Sequence, residues 1–218
     1  MGIVHIYKTV LTNIFMVRIL AFGDIHSDKR KARELAKQAK DEKVDLVILT
    51  GDLTYNDDLS GIIGPFSAVG VKVLVIHGNH EDSSCLNVLE ELYDNAKSIH
   101  GKYHIHDYVG FFGSGGADCY PIPTSESDIE KMLNKAHDSL MKNGKNLRKK
   151  VLISHQHPRG SKSEFSGFVG SKSVRHAIEK FRPDLALFSH IHEGSGMEDT
   201  IGNSRALNVS RKSFIIDI

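Results

Sequence analysis

The chain of 218 residues contains 13 histidines, and many of them stand in short motifs with carboxylate or amide residues. Imidazole and carboxylate groups bind divalent metal ions, and imidazole also exchanges protons near neutral pH. The spacing Asp-x-His or His-x-His places both side chains on one side of an extended backbone. Five motifs of this kind occur in chain order: Asp24-Ile25-His26, Gly51-Asp52, Gly78-Asn79-His80-Glu81, His155-Gln156-His157 and His190-Ile191-His192.

Each motif follows a short apolar run that predicts a strand buried on both faces. Helix-like polar stretches separate the runs, and this alternation favours an α/β fold with mostly parallel strands. The carboxyl ends of such strands border one crevice, so we expect the motifs to converge there. The predicted strands are 18–23, 44–51, 71–78, 151–154 and 184–189, and the predicted helices are 28–42, 58–69, 83–93, 126–142 and 171–181.

Two segments, 99–116 and 206–218, have a different pattern that predicts hairpin-like, more antiparallel pairing. Two sheets packed face to face with helices outside accommodate both patterns. The stretch 117–127, with two prolines, predicts a long loop of the kind that often carries function. Each motif taken alone is compatible with an ordinary turn, but the ordered set at five strand ends is improbable by chance.

Composition narrows the classes of function. Lys and Arg total 28 and Asp and Glu total 27, so the net charge of +1 gives no long-range field for nucleic acid. Two cysteines outside any zinc-binding spacing exclude a disulfide framework, and no apolar run is long enough to span a membrane. We therefore expect a cytoplasmic protein with a single domain over residues 16–218, preceded by a possible extension over residues 1–15.

The motif order resembles that of the calcineurin-like metallophosphoesterase superfamily, which is DxH, GD, GNH[DE], H and GHxH. The segment Gly170-Ser171-Lys172, Arg175 and the run 181–193 are similar to the small prokaryotic Icc-related phosphoesterases. The resemblance implies a four-layer α-β-β-α sandwich of two mixed sheets flanked by helices. Several positions depart from the usual pattern. These are His77 before the third motif, Ser189 in place of glycine, Glu81 in place of the commoner aspartate, His157 at a usual proline position, and Asn208-Val209-Ser210 in place of Asn-Pro-Gly.

The resemblance also implies a centre with two divalent metal ions, which are Mn, Fe, Zn, Co or Ni. Asp52 would be shared by both ions, as its two oxygens permit. The second ion would have fewer carboxylate ligands of its own, so we expect it to bind more weakly. The implied ligands are Asp24, His26, Asp52 and His192 for the first ion and Asp52, Asn79, His155 and His190 for the second.

His80 is implied to be the catalytic residue, either as a proton donor to the leaving oxygen or as a source of transition-state stabilisation. An acidic partner is expected to restore its basicity beside two cations, and Glu81, Asp57 and Asp58 are the candidates. His157 is two residues beyond His155 and competes with it as a ligand, although His155 at the strand end is favoured.

The predicted function is the hydrolysis of a small phosphodiester or phosphomonoester by attack of a metal-bound hydroxide on phosphorus. The alternatives are a nuclease or protein phosphatase built on the same core, and a non-catalytic scaffold with this fold. Neutral charge argues against the nuclease, and the complete set of motifs argues against the scaffold. Arg159 and Arg175 either hold substrate oxyanions or, more simply, form ion pairs.

Overall fold

The computed structural model describes residues 16–55 and 58–218. The possible extension over residues 1–15 and Asp57, one of the candidate partners of His80, lie outside the described residues. Strands are numbered β1 to β11 and α-helices α1 to α5 in chain order. The strands are β1 (Arg18–Phe22), β2 (Leu46–Leu49), β3 (Lys72–Val75), β4 (Ala96–Ser98), β5 (Tyr103–His106), β6 (Val109–Ser114), β7 (Lys149–Ser154), β8 (Leu185–Phe188), β9 (Glu198–Ile201), β10 (Ser204–Asn208) and β11 (Phe214–Asp217). The helices are α1 (Lys29–Asp41), α2 (Gly64–Ala68), α3 (Cys85–Leu92), α4 (Glu126–Asn143) and α5 (Lys172–Phe181), with short 3₁₀ helices at Lys162–Ser166 and His192–Gly194.

The strands form two mixed sheets. The first has the order β11-β1-β2-β3-β4, in which only β11 runs antiparallel to its neighbour. The second has the order β5-β6-β7-β8-β10-β9, with β6, β7, β8 and β10 parallel and an antiparallel strand at each edge. The predicted α/β fold with two mixed sheets is confirmed.

Alternate residues of each central strand pack in different layers, which explains why the strands read as continuous apolar runs. On β1, Leu20 and Phe22 pack against α1, α2 and α3, whereas Ile19 and Ala21 face the second sheet. On β7, Leu152 packs toward α4 and α5. The order of layers is therefore helix, sheet, sheet, helix, as the sequence predicts.

Local capping fixes where three of the helices begin. The Asp28 side chain accepts a hydrogen bond from the Lys31 amide at the start of α1. Ser125 caps α4 and Ser171 caps α5 by accepting from the amide three residues later. A side-chain oxygen at this position satisfies an amide that has no partner within the helix. In the part of the chain that the structure describes, no helix combines the length and apolarity needed to cross a bilayer.

Two sequence predictions about secondary structure need correction. The helix predicted over 58–69 is confined to Gly64–Ala68, because Asp58 accepts from the Ser60 amide and Gly61 adopts φ +72, which turns the chain. The segment 206–218 is not a hairpin: β10 pairs with β8 and β9 in the second sheet, and β11 pairs with β1 in the first. The other predicted helices and the hairpin of β5 and β6 are confirmed.

Candidate metal centre

The five motifs lie where the two sheets meet. The loops after β1, β2 and β3 carry the motif residues of the first sheet, and the loops after β7 and β8 carry those of the second. Eight side chains predicted for the site are thereby gathered from both sheets. The first sheet supplies Asp24, His26, Asp52, Asn79 and His80, and the second supplies His155, His190 and His192.

Asp24, His26 and His192 form the first cluster of donor atoms, which we call the Asp24 group. One ligand atom from each lies within 4.8 Å of the others. The two imidazole Nε2 atoms of His26 and His192 face each other at 3.3 Å, and His192 Nε2 lies 3.7 Å from Asp24 Oδ1. This spacing fits a cation held between the three side chains.

Asp52, Asn79, His155 and His190 form the second cluster, which we call the Asn79 group. The ligand atoms of Asp52, His155 and His190 lie within 4.8 Å of one another, and Asn79 Oδ1 lies 3.1 Å from His155 Nε2. His155 Nδ1 lies 2.8 Å from the Thr50 carbonyl, which accepts its proton. That hydrogen bond fixes the tautomer and leaves Nε2 directed at the cluster.

Asp52 connects the two groups through one of its oxygens. Oδ1 accepts hydrogen bonds from the Asn79 and His80 amides at 2.9 and 3.1 Å. Oδ2 lies 3.7 Å from His26 Nε2 and 3.4 Å from His155 Nε2. The backbone therefore holds one oxygen in place while the other faces histidines of both groups.

Four of these residues have left-handed backbone conformations that side chains rarely adopt. Asp24, His26, Asp52 and His190 have φ values of 60, 48, 51 and 77 degrees. Each such conformation costs on the order of 1–3 kcal/mol and persists only where the surroundings impose it. Contacts within the site therefore outweigh the local backbone preference of these four residues.

The glycines of the second and third motifs are required by close packing. A Cβ on Gly78 would lie 1.9 Å from Asp52 Oδ1, and one on Gly51 would lie 2.8 Å from His155 Nδ1. Gly51 also has φ +96. Only glycine permits the backbones of these two loops to approach so closely.

The pKa shifts of His26, His190 and Asp52 suit cation binding, whereas the Asp52 and Asp24 carboxylates raise the pKa of His155 against the effect of burial. Burial lowers the pKa of His26 to about 4 and that of His190 to about 3, so both rings offer a neutral lone pair at physiological pH. Burial alone would raise the pKa of Asp52, but the neighbouring His155, with His80 and His26, holds it well below its usual range. The Asp24 carboxylate, 3.7 Å from His192 Nε2, raises the pKa of His192 against the effect of burial.

His80 lies beside both groups, and one of its ring nitrogens lies within 4.8 Å of ligand atoms of His26 and Asp52. Its Nε2 is 3.9 Å from Asp52 Oδ2, and about a third of its side chain is exposed. The ring contacts His26 and Tyr55 edge-on, with centroids 4.9 and 5.2 Å apart. The His80 ring therefore reaches solvent next to the Asp52 carboxylate.

The expected acidic partner of His80 is not found among the described candidates. Asp58 forms an ion pair with Lys29 at 2.9 Å. The buried Glu81 carboxylate instead accepts hydrogen bonds from the Leu53, Thr54 and Gly78 amides at 2.8 to 3.3 Å. Of the three candidates, Glu81 is thus bound by backbone amides, Asp58 pairs with Lys29, and Asp57 lies outside the described residues.

The hydrogen bonds of Glu81 connect the loop that carries Asp52 to the loop that carries Asn79. Burial and the charge of Asp52 raise the pKa of Glu81 to about 7, against the opposing hydrogen bonds from Gly78 and Leu53. Its extra methylene relative to aspartate extends the carboxylate to the far loop. The sequence signal was the departure from the commoner residue, but its meaning depends on the backbone amides of another loop.

Of the two competing histidines, His155 faces Asp52. His157 Nε2 lies 3.2 Å from the Phe168 carbonyl, and its ring lies parallel to that of His190 with centroids 6.2 Å apart. The preference for His155 agrees with this geometry.

Three residues near the groups were missed by sequence reasoning. The Tyr55 ring stacks on His26 at 4.1 Å, Cys119 Sγ lies 3.7 Å from His190 Nε2, and Arg211 donates to the Asp24 carbonyl at 2.9 Å. Burial raises the pKa of the Cys119 thiol to about 11, so the sulfur is neutral. Each of these contacts joins segments distant in the chain, and no motif marks them.

One buried atom tests directly whether the residues suit a cation. Asp24 is completely buried, and its Oδ1 atom has no hydrogen-bond partner among the described residues. A buried carboxylate oxygen without a donor is costly unless a cation neutralises it. Together with the facing imidazole nitrogens of His26 and His192, this oxygen fits a divalent ion.

Comparisons with known proteins concern the sequence family and the fold. A sequence model of the calcineurin-like phosphoesterases matches residues 17–194. The structure is similar to TT1561 of Thermus thermophilus, with a TM-score of 0.70 and 17% identity over 93% of this chain and 99% of that one. No curated protein matches the sequence.

Two further solved structures share the fold. A novel archaeal phosphodiesterase has a TM-score of 0.53 and 13% identity, over 92% of this chain and 99% of that chain. A dimetal phosphatase from Danio rerio has a TM-score of 0.56 and 11% identity, over 88% and 86% of the two chains. At these identities the similarity demonstrates a common fold.

Proposed function

Because the chain belongs to the calcineurin-like phosphoesterase family, we propose that it hydrolyses a small phosphoester with two divalent cations at the Asp24 and Asn79 groups. The observation that supports this most is the position of Asp52, whose Oδ2 faces histidines of both groups. The similarity to an archaeal phosphodiesterase and to a dimetal phosphatase adds support. We place the activity in the cytoplasm on the sequence grounds given above.

The donor set suits several ions. Imidazole, amide and carboxylate ligands accept Mn, Fe, Zn, Co or Ni, and cellular availability rather than ligand type selects among them. When bound, such ions supply Lewis acidity that screens the anionic ester and acidifies water for attack on phosphorus. Asp24, His26 and His192 would hold one ion, and Asn79, His155 and His190 the other, with Asp52 common to both.

The remaining chemistry belongs to His80. Protonated at Nε2, His80 gives its proton to the oxygen that departs from phosphorus, or stabilises the charge that develops there. Its partial exposure lets the ring recover a proton from solvent after each turnover. The Asn79 and His80 amides keep Asp52 fixed, so the shared carboxylate does not rotate when the ester binds.

The experiment is to strip the purified protein of metal, reload each of the five ions singly, and assay four substrates. These are bis-p-nitrophenyl phosphate, p-nitrophenyl phosphate, an oligonucleotide and a phosphopeptide. We expect cation-dependent release of nitrophenol from the small esters and none from the Asp52→Asn variant. Preference for the oligonucleotide or phosphopeptide would select a rival enzyme class. Cation binding with no hydrolysis of any ester would indicate a non-catalytic scaffold.

A further inference from the structure

A cavity of about 250 Å³ lies at the start of α5. This volume is somewhat below the roughly 300 Å³ at which pockets for whole small molecules begin, so it suits one part of a substrate. Its walls come from the long loop before α4, the loop after β7 and the start of α5. The lining residues are Asp118, Glu126, Gln156, Arg159, Val169, Gly170 and Lys172.

Three wall residues are direct chain neighbours of residues at the metal centre. Asp118 precedes Cys119, whose Sγ lies 3.7 Å from His190 Nε2. Gln156 follows His155 of the Asn79 group. Val169 follows Phe168, whose carbonyl contacts the His157 ring beside His190. Three wall residues are thus joined through the backbone to residues that belong to the Asn79 group or contact it.

Gln156 holds two of the walls together. Its side chain is buried, its Oε1 accepts from the Asp118 amide at 3.1 Å, and its Nε2 donates to the Val169 carbonyl at 3.2 Å. These two hydrogen bonds connect the loop that carries Asp118 to the loop that carries Val169. The walls of the cavity are therefore joined to each other through Gln156.

The charged side chains on the cavity wall differ in how many of their polar atoms are already hydrogen-bonded or ion-paired. Glu126 uses both carboxylate oxygens to accept from the Ser171 hydroxyl and the Lys172 and Ser173 amides at 2.8 to 3.1 Å. The Lys172 ammonium has no ion-pair partner in the described part of the chain, and it is exposed.

Arg159 Nε lies 3.6 Å from Glu164 Oε1. In the described part of the chain the Arg159 guanidinium donates no hydrogen bond, so its N–H groups can bind a ligand. The Asp118 carboxylate has no hydrogen-bond donor or ion-pair partner in the described part of the chain. Asp118 and Glu126 balance the charges of Arg159 and Lys172 on the wall, so an anion would be bound by the free donors of these two cationic side chains and not by a net positive charge.

We propose that this cavity receives the leaving half of the phosphoester and that Arg159 and Lys172 select leaving groups that carry a second anionic substituent, a carboxylate or a phosphate-type group. The inference rests on the proposed function. In the reaction, the bond between phosphorus and the leaving oxygen breaks, water supplies the new oxygen on phosphorus, and a proton passes to the leaving oxygen. The retained phosphate stays at the cations while the anionic end of the leaving half lies against Arg159 and Lys172.

The test compares three methyl aryl phosphates whose aryl group carries a carboxylate, a phosphonate or a neutral carboxamide at the para position. Two double variants remove the same charge: Arg159→Ala with Lys172→Ala in the cavity, and Arg205→Ala with Lys180→Ala away from it. Arg205 pairs with Glu198, and Lys180 contacts Asn134. The readout is kcat/KM for each anionic ester divided by that for the carboxamide.

We expect the wild type and the Arg205/Lys180 control to favour the anionic esters by about tenfold, as one charge-assisted contact gives. The cavity variant should lose this preference, and Asp118→Asn should increase it. The relative rates for carboxylate and phosphonate identify which anion the cavity prefers. A wild type without preference, or a cavity variant that keeps it, would overturn the proposal.

Failure of the proposed function looks different, because then no ester is hydrolysed by any variant. In that case, calorimetry measures the affinity of the cation-loaded protein for 4-carboxyphenylphosphonate and for phenylphosphonate, and so tests whether the cavity binds an anion. A carboxylate that tightens binding in the wild type and the control but not in the cavity variant supports the cavity as an anion site. Equal affinities throughout would overturn it.

Discussion

Gly78 packs against the carboxylate that faces both groups of donor atoms, and its replacement by alanine is expected to disable both groups at once. The added Cβ would lie 1.9 Å from Asp52 Oδ1, whereas contacts under 3.0 Å essentially never occur. The two atoms must therefore separate by at least 1.1 Å, the difference between those two distances. Metal ligands tolerate displacements of only about 0.2 Å from their ordinary distances, so Asp52 ceases to serve either cation.

The loss of stability follows from the same displacement. Oδ1 of Asp52 accepts from the Asn79 and His80 amides at 2.9 and 3.1 Å, and both hydrogen bonds break when it moves. Each buried amide left without a partner costs about 1–3 kcal/mol, which gives about 2–6 kcal/mol for the pair. A typical domain has about 5–15 kcal/mol in total, so the variant folds with a small margin.

Gly64→Ala is the matched control. Its Cβ would meet only Tyr93, at an ordinary distance of 3.6 Å, and Gly64 is the first residue of α2. The free energy of unfolding of metal-free protein is measured by urea titration with far-ultraviolet circular dichroism, because the chain has no tryptophan. The rise in Tm on adding cation reports binding at the two groups.

We expect Gly78→Ala to lose both the stability and the cation-dependent rise in Tm, and Gly64→Ala to keep both. A Gly78→Ala protein that unfolds like the wild type and still binds two cations would refute the steric argument. Loss of stability with normal cation binding would show that Asp52 does not serve as the shared ligand.

Three further outcomes are expected. His80→Asn should keep cation binding but lose on the order of 10²-fold or more in turnover, and a wild-type rate would remove His80 from the mechanism. During chelator titration the Asn79 group should release its ion before the Asp24 group, because its one carboxylate is shared; metal analysis showing simultaneous loss of both ions would contradict this. His100 accepts a hydrogen bond from the Gly115 amide, and burial lowers the pKa of His100 to about 4. Between about pH 6.5 and pH 4 the imidazole is therefore protonated in the unfolded chain but neutral in the folded one. Stability should therefore fall as pH falls through that window, by up to about 3 kcal/mol from this group, and urea titrations at several pH values should show a weaker pH dependence in His100→Gln.

The strand ends were predictable because two independent signals coincide there. Apolar runs such as 44–51 mark strands buried on both faces, and the polar motif after each run marks the edge where parallel strands end. This combination placed all eight predicted side chains in one region before any contact was known. It did not determine which atoms face each other. The Asn79 and His80 amides bind Asp52 Oδ1, which leaves Oδ2 to face the histidines.

The remaining features depend on long-range partners that leave no local signal. Glu81 looked like a candidate partner for His80, yet its carboxylate binds amides 27 and 28 residues away. The β11 strand has the pattern of a hairpin partner for β10 but pairs with β1 at the opposite end of the chain. In both cases the partner lies in another loop or strand of the first sheet that is distant in the chain, and periodicity does not encode such a partner.

Because the donor atoms come from loops of both sheets, the apolar layer between the sheets sets their separation. Ile48 and Ile153, on β2 and β7, belong to that layer and lie on the strands that lead to Asp52 and His155. A change in side-chain volume there would shift the donor atoms of one sheet relative to those of the other, although no donor residue is altered. Substitutions in this layer would thus change cation affinity. Bound cations would in turn stabilise the contact between the two sheets.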